Sequence, residues 1–261
     1  MSLRVDRFHP SIRRRRLVHE TLERRSVLAG NVAATFTDGS LSVFGDDQSN
    51  VVEIVAVGGD VLVRGLDNTS INGQPQVVFT AGSLGLVDLS VVLGSGPDEL
   101  LLHDLAIAGN VALGRGQVDT IFDAGNDQIF LDHVAIGGDL RLNSGGGADL
   151  VVLTDVAVAG EAALRTGSGN DRLEIVDSAL NDLTILTASG RDQVFIDSSV
   201  IADLTVRLGI GDDTLSILGD SVVGRVDLNG GSGLDRLRRD VDAAILGFPL
   251  ILSFERRVII V

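Results

Sequence analysis

Apolar residues along this chain fall in pairs one position apart, and the pairs return on a fixed period. Leu100 and Leu102, Ile129 and Leu131, Val151 and Leu153, Leu173 and Ile175, Val194 and Ile196, and Leu215 and Ile217 each lie two and four residues after an Asp. The marker residues are Asp98, Asp127, Asp149, Asp171, Asp192, Asp213 and Asp235, at separations of 29, 22, 22, 21, 21 and 22. Alternation of apolar and polar positions predicts a short strand with one buried face. A second pair follows each marker by eleven or twelve residues, introduced by an acid or Asn: Asn110 with Val111 and Leu113, Asp139 with Leu140 and Leu142, Glu161 with Ala162 and Leu164, Asp182 with Leu183 and Ile185, Asp203 with Leu204 and Val206. Arg225 takes the acid's place before Val226 and Leu228. Weaker copies upstream put Asn50 and Gln76 at the marker position and Asp60 and Asp88 at the second.

A repeat of this length cannot bury its own apolar face, so neighbouring repeats must stack. The pattern therefore predicts an all-β protein, a parallel β-solenoid of about nine 21–22-residue coils, right-handed by strand twist and crossover chirality. Nine coils at about 4.8 Å each make a rod of roughly 40 Å. The 29-residue separation contains an insertion of about seven residues, 114–120, expected to bulge from one coil.

Three segments follow: a basic leader over 1–37, a repeat domain over 38–240, and capping strands over 241–261, where AAILGFPLILSF reads as a closing strand pair. In the leader, Ser11 as N-cap and Gly30 as stop frame a short helix over residues 11–28. Residues 1–25 hold eight Arg against three acids, whereas residues 26–235 hold eight Arg against thirty acids, 8 − 30 = −22. A body of that charge attracts cations and repels nucleic acid. The chain lacks Cys, Trp, Tyr and Lys, and no run of 18 apolar residues predicts a transmembrane helix.

Stacking aligns the marker Asp residues in a column and places the second-position acids in another. A third column is expected at Asp104, Asp132, Asp155, Asp177 and Asp197, with His103 and His133 sharing that corner. Carboxylates about 5 Å apart repel by about 3 kcal/mol at an effective dielectric near 20, so something must lower that cost. One solution is Ca²⁺ held by the marker carboxylates and turn carbonyls. The other is that each Asp accepts backbone N–H bonds within its own Gly-rich turn, facing water.

The turns GSGPDELLL, GGGADLVVL, GSGNDRLEI, SGRDQVFI, GIGDDTLSI and GSGLDRL resemble the haemolysin-type (RTX) calcium repeat over residues 94–237. The resemblance implies Ca²⁺ between successive turns, with Asp98, Asp149, Asp171, Asp192, Asp213 and Asp235 as ligands. Asp127, at the same register, joins them as a candidate. This chain departs from the family in carrying one such turn per coil, and Ala188 replaces the first Gly of one turn. LERRSVLAG, residues 22–30, is similar to the LEPR-XLL motif of large exported bacterial proteins, with Arg24 in place of Pro. That similarity implies an exported or cell-surface location in a bacterium.

The sequence carries no phosphate loop and no Gly-x-Ser-x-Gly elbow: Thr166–Asp171 leads into a strand rather than a helix. Carbohydrate sites favour aromatic platforms, and neither Trp nor Tyr is present. The expectation is a non-catalytic β-solenoid serving as a structural, adhesion or scaffold module toward a surface or matrix component such as a polysaccharide, with Ca²⁺ as stiffener and self-association through its ends. The alternative is a carbohydrate-active β-helix whose cleft is built by the insertion.

Overall fold

The computed structural model describes residues 30–82, 85–114, 125–247 and 249–260. The helix expected over residues 11–28 and nearly all of the insertion lie outside these residues. Among the described residues every regular element of any length is a strand, and no helix is long and apolar enough to cross a membrane.

The chain winds into a parallel β-solenoid of about seven turns. One face stacks the strands that follow the marker Asp residues: Leu100 pairs with Ile129, Ile129 with Val151, Val151 with Leu173, Leu173 with Val194, Val194 with Leu215 and Leu215 with Leu237. A second, shorter face stacks Ile107, Ile136, Val158, Leu180, Ile201 and Val223. The third stacks Leu113, Leu142, Leu164, Ile185, Val206 and Leu228. Both apolar pairs of the repeat thus turn inward, and Ile175, Ile185, Ile196 and Ile217 are wholly buried. Identical branched side chains stack with the strand spacing, which lets one short repeat build a continuous apolar core.

The upstream repeats coil only in part, since Val51–Val57 stacks in parallel on Glu99–Ile107 but the strands after it fold back. Val51–Val57, Asp60–Leu66 and Gln76–Phe79 form an antiparallel meander laid against the first face. Asn31–Thr37 and Ser40–Phe44 form an antiparallel hairpin whose second strand pairs with Asp88–Val92. Residues 31–37 are therefore the first strand among the described residues, where the sequence placed the end of the leader. The local chemistry explains both departures. Gly58 and Gly59 turn at φ 61° and 92°, and Asp38 and Gly39 at 51° and 83°; paired positive φ angles match the twist of a two-residue hairpin. Asp60 closes one of these hairpins and Gln76 sits in its antiparallel partner, so neither occupies a coil position. Asn50 and Asp88 do.

At the other end, Ala244–Ile245, Leu250–Leu252 and Arg256–Ile260 each pair in parallel with the coil before them. They extend the three faces of the solenoid. The expected closing strand pair is not formed, because each strand finds its partner in the previous coil.

Candidate functional site: a buried carboxylate ladder

A solenoid has a difficulty at its corners. Where the strand ladder breaks, backbone N–H groups lose their carbonyl partners yet remain buried, and each needs an acceptor. Polar columns supply acceptors, two of them to buried amides and one to exposed amides, each built from a residue that recurs from coil to coil.

The marker Asp residues form the first. The backbone N–H of Asp98 donates to Asp127 Oδ1 (2.8 Å), Asp127 to Asp149 (2.9 Å), Asp149 to Asp171 (3.0 Å), Asp171 to Asp192 (2.9 Å), Asp192 to Asp213 (2.8 Å) and Asp213 to Asp235 (3.0 Å). Asn50 N–H starts the ladder on Asp98 Oδ1, and Glu255 Oε2 ends it by accepting from Asp235 N–H. All seven candidates come together as expected, but they point into the corner. Asp192 and Asp235 are 0% exposed. The acceptor role belongs to the neighbouring coil's amide, where the sequence suggested a bond within each residue's own water-facing turn.

The glycines make room for this. The second Gly of each turn except that of Asp127 forms its own column at φ between 116° (Gly96) and 152° (Gly211). A Cβ on Gly190 would fall on the carbonyl oxygen of Gly169, and one on Gly211 on that of Gly190. Successive turns are stacked backbone on backbone, which only Gly permits.

A second ladder has the opposite polarity: Asn110 N–H donates to Asp88 Oδ1 (2.8 Å), Asp139 N–H to Asn110 Oδ1 (3.0 Å) and Glu161 N–H to Asp139 Oδ1 (3.0 Å). It continues by register through Asp182 and Asp203 to Arg225, whose guanidinium reaches Asp203 at 3.5 Å. The third ladder is hydroxyl: Val156 N–H donates to Ser178 Oγ, Ser178 N–H to Ser199 Oγ, and Ser199 N–H to Ser221 Oγ.

The expected third acidic column shifts by one residue in two coils. Asp104, His133, Asp155, Asp177 and Ser198 share a left-handed conformation at φ 50–54°. Asp132 and Asp197 lie one residue earlier, on the strands. His103 and His133 are consequently not equivalent. His103 stands opposite Asp132 and bonds Glu53 at 3.1 Å. His133 lies between Asp132 (2.9 Å) and Asp155 (3.4 Å), and its pKa is raised by the hydrogen bond and charge of Asp132.

Burial raises the marker carboxyls. Desolvation pushes Asp192 up to about 7 and Asp213 to about 6, against the pull of the backbone N–H each accepts. Asp149, Asp171 and Asp235 move upward for the same first cause. In these five residues Oδ2 is buried with no hydrogen-bond partner.

That donor set does not suit calcium, which takes six to eight oxygens. In Asp149 through Asp235 one carboxyl oxygen is already bound to an amide, and the other faces the corner interior. Among the described residues no group of three or more His, Asp or Glu is placed to hold a metal ion.

Sequence reading missed one further set. Ser144, Thr166 and Thr187, all buried, lie five residues before Asp149, Asp171 and Asp192, and their hydroxyls flank those carboxyls. Their constant offset from the marker was the available signal.

No protein-family model, curated protein or solved structure matches the chain.

Proposed function

We propose that the chain is a non-catalytic, right-handed β-solenoid that works outside the cell or on its surface as a structural, adhesion or scaffold module. The observation that carries this reading is the direction of the polar chemistry. The repeated acids, which give the chain its most conspicuous pattern, are engaged in satisfying corner amides from one coil to the next. A side chain engaged in this way is unavailable for acid–base work on a bound substrate. The exposed acids and the LEPR-XLL-like segment at residues 22–30 support a surface setting and a partner in the surrounding matrix, such as a polysaccharide.

Fractionation of producing cells tests the location: recovery in the surface or medium fraction is expected, and confinement to the cytosol overturns it. Incubation with acidic polysaccharides, with and without divalent cations, tests the non-catalytic part. Retention without cleavage is expected, and any new reducing or unsaturated ends overturn it. Thermal melts with Ca²⁺ and with chelator test the poor fit of the corner donors to calcium; identical midpoints are expected, and a midpoint raised by Ca²⁺ overturns it.

A further inference from the structure

The buried marker column holds an acceptor without a donor. In Asp149, Asp171, Asp192, Asp213 and Asp235, Oδ1 is bound to the amide of the preceding coil while Oδ2 is buried with no partner. The charged or titratable groups acting on these five are one another, together with Asp212 and Glu255. None of the five forms an ion pair with Arg or His among the described residues. Like charges one coil apart, dry and without a counter-ion, cannot all persist.

The flanking hydroxyls offer the second observation. Thr187 Oγ1 donates its proton to the carbonyl of Leu208 at 2.6 Å, and Ser144 Oγ donates to the carbonyl of Thr166 at 3.3 Å. Thr166 Oγ1 is buried beside the Asp171 carboxyl. With its proton engaged elsewhere, the Thr187 hydroxyl presents only lone pairs to Asp192, and a carboxyl oxygen meets a lone pair favourably only when it carries a proton. The first member of the same column makes the point in another way. Asn50 occupies it as an amide, and its Nδ2 donates to Gln48 O (2.7 Å) and Leu93 O (3.2 Å). A neutral donor-bearing side chain already does there what a protonated Asp would do elsewhere.

We propose that the Asp149–Asp235 column is a proton-binding ladder, in which some carboxyls stay protonated at neutral pH, Asp192 with Oδ2 donating to the Thr187 hydroxyl, so that the solenoid is firmest in mild acid and loosens as the pH rises. The sign follows from linkage. A carboxyl whose folded pKa lies above its unfolded value binds more protons folded than unfolded. Its stabilisation is complete below the unfolded pKa of 3.8 and is lost as pH climbs through the folded value, about 7 for Asp192.

Thermal melts of the full chain across this window test the idea. Between about pH 5.5 and about pH 8 the midpoint is expected to fall by about 5 °C. In Asp192→Asn the amide replaces the protonated acid, so the fall shrinks and the midpoint at about pH 8 rises. Thr187→Val is expected to lower the midpoint more in acid than in alkali, whereas a hydroxyl that merely supports Leu208 would act equally at both. His133→Asn, which removes the exposed titrating imidazole, leaves most of the fall in place. Infrared difference spectra at neutral pH should show a protonated-carboxyl stretch that Asp192→Asn diminishes. A midpoint that is flat or rises with pH overturns the proposal. So does a fall that is the same in Asp192→Asn, or an absent protonated-carboxyl signal. A midpoint made independent of pH by added Ca²⁺ also overturns it, since the column would then be a metal site.

Discussion

At the residue scale the repeat is held together by side chains answering to the backbone of the next coil. Ser199 illustrates this. It is fully buried, its Oγ accepts from Ser178 N–H and donates to Asp197 O at 2.8 Å, and its own N–H donates to Ser221. Ser199→Ala leaves Ser178 N–H buried without an acceptor, so a loss of about 1–3 kcal/mol is expected in urea unfolding. Gly190→Ala should be at least as damaging. Its φ is 143° and its Cβ would meet the Gly169 backbone, so strain of about 2 kcal/mol or more is expected from the same assay. Ala188 is the instructive contrast. It replaces the first Gly of its turn at φ 68°, whereas a Cβ on Gly167 or Gly209, the first Gly of the turns on either side, would fall on the carbonyl oxygen of Gly145 or Ala188. The sequence revealed the recurring Asp but not where it points, because a turn Asp facing its own loop and one facing the next coil share the same spacing.

The strands divide into two kinds at the scale of elements. Those from Asp88–Val92 onward follow the repeat, and all but the last three are paired in parallel on both sides by strands one coil away. Their apolar pairs were legible because period-two alternation and a fixed 21–22-residue spacing point to the same faces. In sequence Asp60–Leu66 and Gln76–Phe79 read as coil strands but they run antiparallel, and Asn31–Thr37 reads as leader. Their alternation is as regular, but Asp38-Gly39 and Gly58-Gly59 turn the chain back on itself, and those dipeptides outweigh the loose match to the repeat. Core depth sets the mutational consequence along the coiled part. Ile196, 0% exposed between Ile175 and Ile217, is expected to cost about 2–5 kcal/mol on replacement by Ala. Phe195 on the outer side of the same strand, with Arg172 4.4 Å above its ring, should cost clearly less. A denaturant series on both variants distinguishes inner from outer positions.

At the scale of the molecule, the described coil strands pair with the coils next to them, so stability is a sum of coil and interface contributions. Removing one full period, residues 172–192, joins positions that are already equivalent. The shortened protein should keep its strand signal in circular dichroism and melt cooperatively, whereas removal of half a period should abolish folding because every inward side chain then faces out. The amino-acid sequence by itself determined the solenoid, its period, its inward apolar pairs and the existence of an acid at each corner, since all of these are repeated locally and repetition survives without knowledge of the third dimension. Tertiary structure alone decided that the upstream strands fold back into hairpins and that the last ones extend the coil. It also decided that the marker carboxyls are buried acceptors of the neighbouring coil's amides. Those outcomes depend on which groups the next coil presents at each corner, a relation between residues 21 or 22 positions apart that only the stacked backbone brings into contact.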